Sequence, residues 1–171
     1  MSVLKPPVSN NDQSAGNLNS SIVLVEFGDY QCPYCGHAYP LIKRLLKENS
    51  NSFHFVFRNF PLQEAHPAAF MAAVAAEAAG MQGSFWPMHD MIFEHQQKLK
   101  GFDIFIDFAE KLQLNLQQFA EDVKSAHIIK KVESDFESGI RSGVNGTPTF
   151  FINGSIAPYD GSYESLLRSI E

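Results

Sequence analysis

The chain has little of three things that define many protein classes: cysteine, clustered positive charge and long apolar runs. Only 2 of its 171 residues are cysteines. This number is too small for a disulfide framework, and in a reducing compartment a close pair is more often catalytic or metal-binding than structural. A net charge of −6 without Lys/Arg clusters argues against nucleic acid or an anionic membrane surface as the main partner. No apolar run is long enough to cross a bilayer.

The first 20 residues are rich in Asn, Ser and Pro, and they lack the apolar core that a signal peptide needs. Their composition predicts an extended N-terminal lead-in over residues 1–20. As given, with numbering from Met1, the sequence predicts a cytoplasmic protein, or a periplasmic one if a signal has been trimmed. Hydrophobic residues at 44% and charged residues at 19% are typical of a globular domain with a substantial core.

Hydrophobic periodicity and capping residues predict an alternation of strands and helices. The predicted elements are a strand at 21–27, a helix from 32, a strand at 53–58, helices at 67–79, 84–97, 103–112, 115–123 and 126–142, hairpin strands at 149–152 and 155–157, and a helix at 162–170. A βαβ start with a ββα finish is the order of a thioredoxin fold. We therefore predict an α/β protein in which residues 21–61 and 126–171 form a thioredoxin-like domain. Residues 62–125 would form an all-helical insertion between the βαβ and ββα halves.

The two cysteines form the motif Cys32-Pro33-Tyr34-Cys35, which follows the first strand and begins the first helix. Unpaired N–H groups and the positive end of the helix dipole stabilise a thiolate there, which predicts a lowered pKa for Cys32. The i, i+3 spacing places Cys35 one turn later on the same side, where it can resolve a mixed disulfide. Pro33 suits the first turn of a helix, and both Pro33 and Tyr34 are candidate substrate-binding residues.

Glu26 is the only polar residue in the apolar strand that leads to the cysteines. A carboxylate buried beneath the motif would accept and return a proton for Cys35 while the mixed disulfide resolves. The alternative is a side chain that points outward from an imperfect strand. Asp29 and Tyr30, just before the motif, either border the substrate groove or are ordinary loop residues.

A second candidate segment lies far along the chain, where Thr147 and Pro148 precede the predicted hairpin. Proline at the start of a strand is unusual unless its missing N–H is useful or its peptide bond is cis. A cis bond would present the backbone of Thr147 to an extended substrate and keep the Pro148 ring beside the two sulfurs. An ordinary trans proline is the alternative, and the cysteine motif favours the cis interpretation.

Metal binding is the main competing use of the cysteines. Cys32, Cys35 and His37 would supply three ligands, but no second CxxC or HxxxH pair completes a tetrahedral set. Covalent haem is excluded because Gly36 stands where C-x-x-C-H needs histidine. We therefore predict a site without a metal or an organic cofactor.

The segments VEFGDYQCPYCG and VNGTPTFFING resemble the DsbA family of thioredoxin-like disulfide oxidoreductases. FRNFPL, the Ala-rich helix and FWPMHDMIFEHQ are similar to the DsbA-like domains found alone or fused to bacterial sodium/proton antiporters. The resemblance covers about residues 20–171. It implies a thioredoxin fold with a helical insertion, Cys32 as nucleophile, Cys35 as resolving thiol, Pro148 as the cis-proline and Glu26 as the buried acid.

The resemblance implies a thiol–disulfide oxidoreductase that acts on protein or small-molecule thiols, with glutathione or a thioredoxin-type reductant as recycling partner. The Pro-Tyr dipeptide matches glutaredoxins rather than the Pro-His of the periplasmic oxidase, and with a cytoplasmic location it favours reduction or isomerisation. Two other classes stay open. One is a glutathione-dependent transferase or isomerase of the same superfamily, whose members generally lack the paired cysteines. The other is a non-catalytic peptide-binding module.

Overall fold

The computed structural model describes residues 2–171, which build a five-stranded mixed sheet with helices on both faces. The strand order is β1-β3-β2-β4-β5, and only the β2–β3 pair is parallel. The strands are β1 Gln13–Gly16, β2 Val23–Gly28, β3 His54–Asn59, β4 Thr149–Ile152 and β5 Ser155–Ala157. Because β2 and β3 are parallel, a crossover helix must connect them.

Seven α-helices accompany the sheet in residues 2–171. They are α1 Pro33–Asn49, α2 Ala69–Gly80, α3 Phe85–Glu94, α4 Asp103–Lys111, α5 Leu116–Asp122, α6 Ala126–Ser142 and α7 Tyr163–Ile170. Side-chain caps fix the start of α5, α6 and α7, where Asn115, Ser125 and Ser162 each accept a hydrogen bond from a backbone N–H three residues later. Gly143 ends α6 at a φ of 84°, a left-handed conformation that favours glycine.

The two faces of the sheet bury separate apolar clusters. Leu24, Phe55 and Phe57 face the side covered by α1, α3 and α7, whereas Val25 and Phe27 pack with residues near α6 on the other. This alternation follows from the two-residue repeat of a strand. It places Glu26 on the same side as Leu24, beneath the helix that carries the cysteines.

The segment between β3 and α6 is helical, and α2 lies at its centre. The small alanine side chains of α2 are nearly all buried, and the helix packs closely against α3 and α6. The sequence predicted a single helix over 84–97, but α3 ends at Glu94 and a separate 3₁₀ turn, Gln96–Lys98, follows. Ser84 is a residue type favoured at an N-cap and it precedes α3, but its side chain makes no capping hydrogen bond. No helix in residues 2–171 combines the length and hydropathy needed to cross a bilayer.

The N-terminal lead-in contains a strand that its composition did not predict. β1 pairs antiparallel with β3 and extends the sheet by one strand. Asp12 accepts two hydrogen bonds from the buried Arg58 guanidinium, at 2.8 and 3.0 Å. The indole N–H of Trp86 donates to the Ser14 carbonyl at 2.8 Å. These contacts with distant elements hold β1 and the residue before it in place, which local propensity does not reveal.

Candidate active site

The cysteine motif lies where β2 passes into α1, as the sequence predicted. Cys32 is the N-cap residue of α1 and Pro33 its first residue, so Cys32 lies at the helix end where the first N–H groups have no intrahelical partner. Both cysteines are free thiols. Cys35 is fully buried, and its sulfur accepts the backbone N–H of Asp29 at 3.4 Å. Pro33 and Tyr34 are exposed, with Tyr34 at 75%, so both are accessible to a substrate.

The environment strongly favours the thiolate of Cys32. A hydrogen bond from the Cys35 side chain, with help from the Thr147 side chain and the backbone N–H groups of Tyr34 and Cys35, lowers the pKa of Cys32 from 9.0 to about 5, against the opposing effect of burial. A thiolate rather than a thiol is the nucleophile in disulfide exchange. Cys32 is therefore ready to react at neutral pH.

The other two titratable groups of the site are shifted in the opposite direction. Burial, the hydrogen bond to Cys32 and the charge of Glu26 raise the pKa of Cys35 well above its usual value. Burial and the nearby charge of Cys32 raise the pKa of Glu26 to about 8. A thiolate, a thiol and a protonated carboxyl thus occur together at neutral pH, which is the arrangement expected of a nucleophile, a resolving group and a proton carrier.

Glu26 is buried, with 3% of its surface exposed, and does not point outward from the strand. Its Oε1 lies 3.3 Å from the position that a Cβ on Gly28 would take, so the carboxyl points along β2 towards the cysteine loop. A Cβ in that position would also collide with the Phe57 ring. Only glycine at position 28 therefore leaves room for both the ring and the carboxyl.

The segment before β4 returns to the cysteines. The Cys32 sulfur lies 3.5 Å from the Thr147 carbonyl oxygen, and the Thr147–Pro148 peptide bond is cis. The buried Thr147 hydroxyl has no hydrogen-bond partner within residues 2–171.

Asp29, which the sequence left as either a groove or a loop residue, is buried and organises the cysteine loop. Its Oδ1 accepts the backbone N–H groups of Gln31 and Cys32 at 2.7 and 3.1 Å. Its Oδ2 accepts the Leu62 N–H at 2.8 Å and contacts His66 Nδ1 at 2.9 Å. The Asp29 side chain thus connects the cysteine loop to the segment that leads into α2 through hydrogen bonds.

Gln96 is a second residue that sequence reasoning missed. Its side-chain amide donates to the carbonyls of Tyr30 and Cys32 at 3.0 and 2.7 Å. The amide also packs against Gly36, where a Cβ would collide with it. The sequence gives no signal for this contact because Gln96 lies 64 residues after Cys32 in the chain.

The residues considered for a metal site are not arranged as one. Within residues 2–171, no group of three or more His, Cys, Asp or Glu side chains is positioned to hold a metal ion. His37 is exposed and contacts the Gly161 carbonyl instead, at 3.2 Å. The buried His89 contacts the Tyr30 hydroxyl through Nδ1 at 2.9 Å, and burial lowers its pKa to about 3.

Comparison with known proteins places these features in a family. A family model described as thioredoxin matches residues 9–171. The chain is 40% identical over 161 residues to a protein named Na(+)/H(+) antiporter NhaA 1 from Salinispora arenicola, an alignment that covers 94% of this chain and 24% of that protein. The chain thus spans about a quarter of the length of the curated relatives it matches.

Solved structures show the same fold at low sequence identity. Oxidised BdbD from Bacillus subtilis superposes with a TM-score of 0.83 at 22% identity, covering 99% of this chain and 96% of BdbD. The thiol-disulfide exchange protein alpha-DsbA2 from Wolbachia pipientis gives 0.81 at 21% identity, covering 95% and 87%. The predicted thioredoxin fold with a helical insertion and the DsbA-like resemblance are confirmed, and the chain belongs to the thioredoxin family.

Proposed function

We propose that the chain is a thiol–disulfide oxidoreductase that exchanges disulfides with protein or small-molecule thiols through Cys32 and Cys35. The observation that carries the proposal is the pKa of Cys32, about 5, in a thiol paired with a buried cysteine of raised pKa. This difference supports Cys32 as the nucleophile and Cys35 as the resolving thiol. A pair of buried structural thiols would not need it.

In the reducing direction, the Cys32 thiolate attacks one sulfur of a substrate disulfide. A Cys32–substrate bond forms, and the substrate disulfide breaks to release one substrate thiolate. Cys35 then loses its proton and attacks the Cys32 sulfur. The Cys32–Cys35 disulfide forms, the Cys32–substrate bond breaks and the second substrate thiolate leaves, so that the substrate is reduced by two electrons and the protein is oxidised.

Glu26 acts as the base for the second step. Its ionised carboxylate takes the Cys35 proton, and in the reverse direction its protonated carboxyl returns that proton to the Cys35 thiolate. Both groups are buried away from solvent, so the proton passes between them rather than to bulk water. The charge of Glu26 raises the pKa of Cys35. The Thr147 carbonyl before the cis Pro148 lies beside the Cys32 sulfur, and the backbone of Thr147 pairs with an extended substrate as an added strand. Pro33 and Tyr34 supply the exposed contacts.

The preferred direction follows from how strongly the reduced form is stabilised. The Cys32 pKa of about 5 lies between the values of about 7 in thioredoxin and about 3.5 in DsbA. We therefore place the reduction potential between about −270 and −120 mV, with reduction or isomerisation as the cellular role and glutathione or a thioredoxin-type reductant as the partner. The cytoplasmic location and the domain boundaries stay predictions.

The test is a pair of activity assays on the purified chain. With both cysteines intact we expect it to catalyse insulin reduction by a small dithiol and to oxidise a reduced peptide. The Cys32→Ser variant should lose all thiol exchange. The Cys35→Ser variant should accumulate the mixed disulfide. Failure of the intact chain in both assays would refute the proposal, and substrate affinity retained by Cys32→Ser without any wild-type exchange would favour the non-catalytic peptide-binding module.

A further inference from the structure

The loop that joins α6 to β4 contains an asparagine followed by a glycine, directly before Thr147. Asn145-Gly146 is one of two Asn-Gly pairs in the chain, and the other, Asn153-Gly154, forms the turn between β4 and β5. An asparagine loses its side-chain amide most easily before glycine, because glycine has no side chain to shield its backbone nitrogen. The chain therefore holds the same reactive dipeptide in two environments.

The first pair is open to this reaction. The Asn145 side chain is exposed. Within residues 2–171 the pair takes part in one hydrogen bond, in which the Gly146 carbonyl accepts the Thr149 hydroxyl at 2.7 Å. The Asn145 amide and the Gly146 N–H are therefore free of protein partners. A Cβ built on Gly146 would meet no atom within 4 Å, so the surroundings of this glycine are open as well.

The second pair is held in place by the sheet. Asn153 is exposed like Asn145, but the Val23 N–H donates to its Oδ1 at 2.8 Å, and its own N–H donates to the Val23 carbonyl at 2.9 Å. The Asn153 side chain must leave Val23 before its carbonyl carbon can approach the Gly154 nitrogen. The two asparagines thus differ in how firmly they are held and not in exposure.

We propose that Asn145-Gly146 is a site of spontaneous deamidation, and that the isoaspartate formed there slows the thiol exchange of Cys32. The Gly146 backbone nitrogen attacks the side-chain carbonyl carbon of Asn145. A nitrogen–carbon bond forms, the bond from that carbon to the amide nitrogen breaks, and ammonia leaves with the proton of the Gly146 N–H. Water then opens the cyclic imide. Its attack at the main-chain carbonyl carbon gives isoaspartate, and its attack at the side-chain carbonyl carbon gives aspartate, without oxidation or reduction.

Isoaspartate lengthens a loop whose two ends are fixed. Val144, at the start of the loop, is buried in an apolar cluster, and Thr149, at its end, begins β4. In isoaspartate the main chain runs through the side-chain carbons and gains one carbon–carbon bond of about 1.5 Å. The extra length must be accommodated between these two anchors, where the Thr147 carbonyl lies 3.5 Å from the Cys32 sulfur.

The modification acts on Cys32 in two ways. A displaced Thr147 no longer supports the thiolate, whose pKa its side chain helps to lower. The new carboxylate also adds a negative charge two residues before Thr147, and a nearby like charge disfavours a thiolate. Both effects decrease the thiolate fraction of Cys32. The effect on exchange rests on the proposed function of Cys32 as the nucleophile, whereas the deamidation chemistry does not.

The first test compares the two asparagines in one sample. The purified, reduced chain is incubated in mildly alkaline buffer with a reducing agent, and its peptides are analysed at intervals by mass spectrometry with electron-transfer fragmentation, which distinguishes isoaspartate from aspartate. Because the hydrogen bond to Asn153 must break before that residue reacts, we expect Asn145 to deamidate about twofold to tenfold faster than Asn153. Equal rates, or a faster reaction at Asn153, would refute the site.

The second test measures the effect on Cys32. Anion exchange isolates the deamidated protein, which has one more negative charge. At pH 5, near the pKa of Cys32, we expect the fraction with isoaspartate at position 145 to react with iodoacetamide up to about fivefold more slowly than the unmodified protein. Asn145→Asp contains the charge without the longer main chain and should show a smaller decrease. An isoaspartate fraction that reacts at the unmodified rate would refute the effect on Cys32.

Two variants serve as matched controls during the same incubation. Asn145→Gln removes the reactive dipeptide but keeps an amide, and Gly146→Ala shields the backbone nitrogen with a methyl group that has open space around it. Both should keep their Cys32 reactivity while the wild type loses it in proportion to the isoaspartate formed. An equal loss in Asn145→Gln and the wild type would refute the proposal. If the fresh wild-type chain exchanges no disulfides at all, the proposed function fails, and the deamidation rates still decide the site.

Discussion

The hydrogen bond from Cys35 to Cys32 is the largest single cause of the low pKa of Cys32, and its contribution can be isolated. A hydrogen bond to a charged group contributes about 1.5–3 kcal/mol, which corresponds to about one to two pKa units. Cys35→Ala removes the donor, so the pKa of Cys32 should rise from about 5 by that amount. Cys35→Ser keeps an O–H donor at the same position and should leave the pKa close to the wild-type value.

The effect is largest at a pH near the wild-type pKa. At pH 5 about half of wild-type Cys32 is thiolate. After a rise of one to two units the thiolate fraction falls to between roughly 9% and 1%, a decrease of about fivefold to fiftyfold. Both variants contain Cys32 as their only thiol, so the rate of alkylation by iodoacetamide against pH reports this residue directly.

Two results would refute the reasoning. If the alkylation profile of Cys35→Ala matches the wild type, the backbone N–H groups and the Thr147 side chain set the pKa of Cys32, and the hydrogen bond from Cys35 contributes nothing. If the pKa of Cys32 rises as far in Cys35→Ser as in Cys35→Ala, the sulfur of Cys35 acts through polarisability or packing rather than through a donated hydrogen bond. A shift in Cys35→Ala alone would support the assignment.

Three further outcomes follow from the site and its surroundings. In the same alkylation assay, Thr147→Val should raise the pKa of Cys32 by up to about one unit, because the wild-type Thr147 side chain lowers that pKa. An unchanged pKa of Cys32 would contradict this contribution. In urea unfolding, the reduced protein should lose stability relative to Cys32→Ser as the pH falls from about 9 to about 5. The low pKa of Cys32 stabilises the folded state fully above the unfolded-state pKa of 9.0, and this stabilisation is lost as the pH falls to the folded-state pKa of about 5. A difference in unfolding free energy between the two proteins that does not vary with pH would contradict the prediction. Gly139→Ala should lower the free energy of unfolding by about 1–3 kcal/mol, since its Cβ would stand 2.5 Å from two carbons of the buried Phe60 ring. Gly146→Ala is the matched control, because its Cβ would meet no atom within 4 Å. Equal unfolding free energies for the two variants would contradict the packing argument.

Local signals predicted much of this fold from the sequence. Asn115 and Ser125 begin helices at the predicted positions because a capping side chain acts on an N–H three residues away. The cysteine motif was equally accessible, since a helix N-terminus lowers a thiol pKa wherever it occurs. The apolar strand favoured burial of Glu26 but left an outward-pointing side chain open, and the structure shows Glu26 and its neighbours in β2 buried.

The residues that hold the site in place were not predictable, and the reason is physical. Asp29 and Gln96 act through backbone N–H and C=O groups, which every residue has, so no residue type marks their partners in the sequence. The same limit applies to β1, whose polar side chains meet Glu77 and His54 on distant elements. Contacts of this kind depend on tertiary structure, and they become visible only when the chain has folded.

The helical segment therefore has a structural consequence for the redox centre that its sequence does not indicate. Through Leu62 and His66 it binds the Asp29 carboxylate, and through Gln96 it holds the Cys32 carbonyl. The thiolate at the start of α1 requires fixed N–H groups, and these contacts restrict the loop that presents them. An insertion that only shielded the site would need none of these polar contacts, so we infer that it positions the nucleophile.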